Sequence, residues 1–274
     1  MPLAPPGIHL KSLAIELRDS ADRARHPFSL PLIQAQPRIE FATPITLFVG
    51  ENGSGKSTLL EAIACATELP TAGELETGRD PTLAAARELA AHLRLAWTKK
   101  TRRGLFLRAE DFFGFAKRMA QLRADLESER SQLDESLKNS SAYARALGRG
   151  ALTGQLGALQ ESYGEGIDTR SHGEGFLEFF QQRFAPNGLY LLDEPEAPLS
   201  PQRQLTLISL IKHMLTERAQ FIIATHSPLL MALPNATILE FRNGAIAPVA
   251  FDDTEHVRIT RSFLQNPEQF LRRL

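Results

Sequence analysis

The chain has 274 residues, 43% of them hydrophobic, enough to bury the core of one large α/β domain or a domain carrying an insertion. Its 31 Lys and Arg and 32 Asp and Glu give a formal net charge of −1, which excludes a global field drawing it onto nucleic acid or an anionic membrane. One cysteine, Cys65, excludes an intramolecular disulfide. With no secretion-signal pattern in Met1–Gly7 and no apolar run near the ~20 residues of a membrane span, it sets the expectation of a cytoplasmic protein without direct membrane insertion.

The first element expected is an edge strand over His9–Leu17, from the alternation of Leu10, Leu13, Ile15 and Leu17. Ile39–Phe41 reads as a second short strand, and Thr43-Pro44 turns the chain into the apolar run Ile45–Val49, a buried strand. Thr58–Ala64 reads as a helix with Leu59, Leu60 and Ile63 on one side, and Cys65 at its end as a small buried hydrophobe. Between strand and helix, Gly50-Glu51-Asn52-Gly53-Ser54-Gly55-Lys56-Ser57 fits the phosphate-binding pattern G-x-x-x-x-G-K-[ST]. Glycines let backbone N–H groups turn inward around phosphates, and a helix N-terminus faces negative charge. Lys56 would reach the β- and γ-phosphates of a nucleoside triphosphate, and the Ser57 hydroxyl would ligate Mg²⁺.

Asp80–Leu95 is alanine-rich and helical in propensity, and Leu105–Leu107 reads as a strand. From Phe112 to Leu137 the apolar positions Phe112, Phe115, Met119, Leu122, Leu126, Leu133 and Leu137 recur at helical spacing, a helix of roughly 40 Å at 1.5 Å per residue. Asn139–Arg170 is polar and rich in Gly, Ser and Ala, and reads as mobile connections around weak helix. The division expected is therefore 1–111, a helical insertion over 112–169, and 170–274. The basic run Lys99-Lys100-Thr101-Arg102-Arg103, with Trp97 nearby, is either a solvated loop or a site for nucleic-acid phosphates or an acidic partner.

The last third returns to α/β logic. Leu189–Leu192 is a buried strand ending in Asp193 and Glu194; Asp193 would hold Mg²⁺ and Glu194 would orient or deprotonate the attacking water. A helix after Pro201 presents Leu205, Ile208, Ile211 and Leu215. Phe221–Thr225 is another buried strand, followed by His226, placed at the strand edge where parallel sheets bind ligands and able to reach the γ-phosphate or the water. Ile238–Ile246 is a hairpin turning at Asn243-Gly244, and Val257, Phe263, Leu264, Phe270 and Leu271 suggest a tail helix docked on the core.

With these motifs in place the chain resembles the ATP-binding-cassette (ABC) type ATPases, most closely small stand-alone ATPases related to those of chromosome maintenance and recombination repair. Gly50 to Thr58 matches the Walker A loop, Leu189–Glu194 matches Walker B with its catalytic glutamate, Glu194–Pro201 occupies the D-loop, and His226 matches the switch histidine. The resemblance implies an α/β P-loop fold with a mainly parallel sheet flanked by helices, Mg²⁺-dependent ATP hydrolysis, and an ATP-dependent homodimer. Arg170–Gly175 lies where the family carries its signature; Ser171 and Gly173 fit, His172 and Glu174 depart, and Ser171 and Gly173 would close over nucleotide on a second copy. The family's metal-contacting glutamine is not obvious; Leu107–Glu110 occupies its place, where Glu110 either stands in as a Mg²⁺ ligand or is a solvated acid. The 112–169 insertion lies where the repair ATPases project coiled coils, which implies a lid or partner-binding lobe. Three roles stay open: DNA transactions or defence against foreign DNA, the nucleotide-binding subunit of a transporter, or a small-molecule kinase.

Overall fold

In a computed structural model, residues 7–17, 23–71, 77, 80–138, 150, 154 and 172–272 are described. The chain divides into two compact units, one of residues 1–109 and 184–274, the other Glu110–Arg183.

Within the first unit, β1 (Leu10–Ile15), the short helix α1 (Pro31–Gln34), β2 (Arg38–Glu40), β3 (Ile45–Gly50) and α2 (Lys56–Thr67) follow in order. After a 3-10 turn at Pro81–Leu83 come α3 (Ala84–Ala90), β4 (Leu93–Trp97) and β5 (Gly104–Arg108). The second unit holds the 28-residue α4 (Ala109–Ser136, its first residue in the first unit) and α5 (His172–Arg183), whose Phe176 and Phe180 rings meet edge-on with centroids 4.7 Å apart. The chain then returns to the first unit with β6 (Leu189–Asp193), α6 (Pro201–Thr216), β7 (Gln220–Ala224), α7 (Pro228–Met231), β8 (Thr237–Arg242) and β9 (Ala245–Pro248). It ends in α8 (Glu255–Gln265) and α9 (Pro267–Leu271).

Two sheets result. The larger has the order β5-β6-β7-β3-β8-β9, with the first five strands mutually parallel and β9 antiparallel to β8. Strands β3, β6 and β7 are buried on both faces, which is why they read in sequence as unbroken apolar runs. The β8–β9 turn takes Asn243 and Gly244 at φ 51° and 77°, as a two-residue hairpin with positive φ at both positions demands. The smaller sheet, β2-β1-β4, is antiparallel. The fully buried Gln220 side chain ties the sheets together: its Oε1 accepts from His9 N and Leu10 N, both at 2.8 Å, and its Nε2 donates to Leu10 O at 2.9 Å.

Three expectations are corrected here. β1 is central, pairing with β2 on one side and β4 on the other, so it is no edge strand. The helix expected through Leu95 stops at Ala90, and Leu93–Trp97 is a strand. Leu93, Leu95 and Trp97 repeat with period two and turn toward the core while Arg94 and Ala96 face out; pairing with β1 outweighs the alanine-rich helix propensity upstream. The tail helices dock only at their start: Val257 is 3% exposed, but Leu264 is 72% exposed, and Ile259, Phe263 and Leu271 are also open. The second compact unit, Glu110–Arg183, contains the 112–169 span of the expected helical insertion. Most of Asn139–Arg170 lies outside the described residues.

Candidate active site

The parallel strands all deliver their C-terminal ends to one edge of the large sheet, and the candidate residues collect there. At the end of β3, Gly50 has φ 139°, and a Cβ on it would stand 2.4 Å from Phe241 O, so only glycine lets the loop leave the strand beside β8. Gly53, at φ 78°, takes a backbone conformation that residues with a side chain rarely adopt. Residues Glu51 to Ser54 face Gly244 and His256 across a cleft of about 520 Å³.

Lys56 is 4% exposed and is held by its own loop: Nζ donates to Gly50 O and Glu51 O, both at 2.8 Å, with Ser54 Oγ at 3.5 Å. Burial lowers its pKa, opposed by the carboxylates of Glu194 and Asp193. Ser57 Oγ donates to Asp193 Oδ1 at 3.1 Å, so the two residues expected to share a metal meet across the sheet edge. Burial pushes the Asp193 carboxyl up to about 7, only partly countered by the Ser57 hydrogen bond. A buried carboxyl that resists ionisation beside a hydroxyl, next to an anion-binding loop, is the donor set a Mg²⁺ ion would complete.

Glu194 has φ 49°, a left-handed turn that swings its side chain out of the strand line, and its N–H donates to Ala224 O at 2.9 Å. Its side chain is 47% exposed, and Oε1 lies 3.5 Å from the buried His226 Nε2, which makes no hydrogen bond among the described residues. His226 Nδ1 lies 3.0 Å from His256 Nε2 on α8. Burial, followed by the Lys56 charge, lowers the pKa of both rings, with nearby carboxylates opposing.

The loop carrying His226 hangs on Glu196. Glu196 Oε1 accepts from Thr225 Oγ1 at 2.7 Å, His226 N at 2.7 Å and Ser227 N at 3.0 Å, and burial raises its pKa despite these donors. Ser227 Oγ donates to Gln204 Oε1 at 2.6 Å and accepts from Leu229 N and Leu230 N, starting α7. Sequence reasoning placed Glu196 in a segment but gave it no task, and it missed Gln204 and His256. No local pattern marks those two, since each meets the site from a separate helix.

Gly50 to Thr58, Asp193, Glu194 and His226 are thus brought together. Glu110 falls in the first turn of α4 in the second unit. Arg108, at the end of β5, pairs with Glu61 Oε1 at 3.1 Å and Asp80 Oδ2 at 3.4 Å. Ser171 lies outside the described residues, and Gly173 lies in α5. Cys65 packs half-buried against the core, which raises its thiol to about 11. Trp97 packs against the same core cluster. The basic run is exposed, with Thr101 Oγ1 donating to Asn187 O at 3.0 Å. Among the described residues no helix is long and apolar enough to cross a membrane.

A glycine loop between a central strand and a helix, a histidine just past the adjacent parallel strand, and two acids at the end of the strand beyond that one define a P-loop ATPase of ABC type. The family model described as "AAA domain, putative AbiEii toxin, Type IV TA system" matches residues 75–232, more than half of the chain, and the chain belongs to that family. A stretch of 63 residues is 38% identical to DNA repair protein RAD50 of Saccharomyces cerevisiae; it covers 22% of this chain and 5% of that protein. Among solved structures, the SMC head domain from Thermotoga maritima is 14% identical with a TM-score of 0.41, over 89% of this chain and all of that one. An Smc head domain derived from Pyrococcus furiosus, bound to the C-terminal domain of ScpA, is 12% identical with a TM-score of 0.42, over 93% of this chain and 99% of that one. Likenesses that distant carry no weight for partner or activity.

Proposed function

We propose that the protein hydrolyses ATP to ADP and phosphate at this sheet edge, and that hydrolysis times an ATP-gated dimeric switch. The observation that carries the reading is the convergence of Lys56, the Ser57–Asp193 pair, Glu194 and His226 from three separate segments. Lys56 and the glycine-loop N–H groups hold the phosphates. Ser57 and Asp193 would hold Mg²⁺, which would neutralise phosphate charge. Glu194 takes a proton from water as the water oxygen bonds to the γ-phosphorus; the bond to the bridging oxygen breaks and ADP leaves with that electron pair. His226 donates toward the charge that develops on phosphate oxygen.

Glu194→Gln should keep ATP binding while turnover falls about 10²–10⁴-fold, the scale of a positioned general base. Wild-type turnover in that variant would remove Glu194 from the mechanism. The same variant should accumulate an ATP-dependent dimer in light scattering, with Ser171 and Gly173 of each copy closing over the other's nucleotide; a monomer at saturating ATP would defeat the dimer reading. The family description and the repair relative favour a role in DNA transactions or defence. The exposed Lys99, Lys100, Arg102 and Arg103 are the candidate phosphate contacts. Replacing all four with alanine should lower DNA affinity and flatten its salt dependence; an unchanged slope would take DNA off this loop. The 112–169 insertion is the proposed lobe for a protein partner.

A further inference from the structure

We propose that His256 is a positioning residue that selects the ring tautomer of His226, donating its Nε2–H to His226 Nδ1 so that His226 Nε2 carries the hydrogen facing Glu194. The inference rests on the hydrolytic reading above for its consequence, but its geometry stands alone. A neutral imidazole has one donor and one acceptor nitrogen, so two neutral rings 3.0 Å apart share one hydrogen, given by one ring or by the other.

The surroundings decide which. If His226 donated from Nδ1, its Nε2 would turn a bare lone pair toward Glu194 Oε1 at 3.5 Å, lone pair against carboxylate. If His256 donates, His226 Nε2 presents N–H to that carboxylate. The second arrangement is attractive where the first is repulsive. Nε2 is buried and lacks a hydrogen-bond partner among the described residues, so this N–H is held ready for an anionic oxygen brought in beside Glu194. Burial of both rings favours the neutral pair over an imidazolium.

His256 is placed with unusual firmness for a residue of the tail. Thr254, fully buried, sends its hydroxyl to Phe251 O at 2.8 Å, and Val257 on the other side is buried in the core. The start of α8 is therefore fixed while its later residues stand in solvent, which is what a ring used as an orienting strut requires.

Long-range ¹H–¹⁵N correlation spectra of the histidine side chains test this directly, with His226 assigned from a His226→Gln sample. The wild type should show His226 hydrogen-bearing at Nε2 and bare at Nδ1. In His256→Gln the amide nitrogen stands near the lost Nε2 and can donate, so the tautomer should persist and kcat stay within about threefold of wild type. In His256→Phe, loss of one hydrogen bond should mix the tautomers and lower kcat about tenfold, with ATP Kd within about twofold. A wild-type His226 bearing hydrogen at Nδ1, or a folded His256→Phe with wild-type kcat, overturns the proposal. The spectrum of the wild type decides even if a variant fails to fold. It also needs no hydrolysis, so an inactive wild type with the expected tautomer would sink the hydrolytic reading and leave the strut in place.

Discussion

The two halves of the site are held in opposite ways. Lys56 hydrogen-bonds carbonyls five and six residues away, within its own loop. His226 hangs on Glu196, thirty residues away, and on His256, thirty residues away in the other direction. The phosphate cradle is thus local and self-contained, whereas the switch loop is a tertiary construction. Binding and turnover should therefore separate under mutation: damage to the cradle removes nucleotide, while damage to the struts removes chemistry from a site that still binds.

The sharpest break would come at the cradle. Lys56→Ala should weaken ATP binding about 30-fold or more, the scale of losing charge-assisted hydrogen bonds, as read by fluorescent-nucleotide titration. Glu196→Ala is the counterpart on the switch side. It strips the acceptor from two buried N–H groups and a hydroxyl, and should cost about 2–4 kcal/mol in urea unfolding and lower kcat tenfold or more, while ATP Kd holds. Equal loss of binding and turnover in both variants would erase the comparison.

Gln220→Leu probes whether tertiary ties as such disturb the site. It leaves His9 N, Leu10 N and Leu10 O without a buried partner and should cost about 3 kcal/mol, with kcat and Kd unchanged at temperatures where the protein stays folded.

The carboxyl of Asp193 sharpens the metal assignment through pH. It is raised to about 7 without metal, from an ordinary value near 3.9 in the unfolded chain. The folded state therefore holds the proton more tightly, so this contribution to stability is present below about pH 4 and fades as pH rises through about 7. Urea unfolding in EDTA should show that decline; Asp193→Asn should remove its share and leave the part due to Glu196, which burial also raises. Mg²⁺ added at pH 7 should release about half a proton per site from wild type and none from Asp193→Asn. The smallest effect belongs to the solvent side of α8, where Leu264→Ser should shift stability by no more than about 0.5 kcal/mol in the same unfolding assay.

Legibility followed range. The cradle was readable because G-x-x-x-x-G-K-S packs its whole requirement into eight residues, and β3, β6 and β7 because strands buried on both faces leave unbroken apolar runs. Leu93–Leu95 reads as helix because the alanine-rich stretch runs straight into it; the period-two alternation of Leu93, Leu95 and Trp97 is too short to outweigh that propensity without the pairing with β1. The tail was read as docked because Phe263, Leu264 and Leu271 are apolar at helical spacing, yet spacing cannot tell a buried face from an open one.

By itself, then, the sequence determined the strand, loop and helix of the candidate phosphate cradle, the acids that end β6, and the histidine just past β7, since each depends on neighbours along the chain. Only the tertiary structure decided that Ser57 meets Asp193, that Glu196 carries the switch loop, and that His256 faces His226. Those partners lie tens of residues apart, and the folding of parallel strands to one edge, together with the anchoring of α8 at Thr254 and Val257, is what brings them within hydrogen-bond reach.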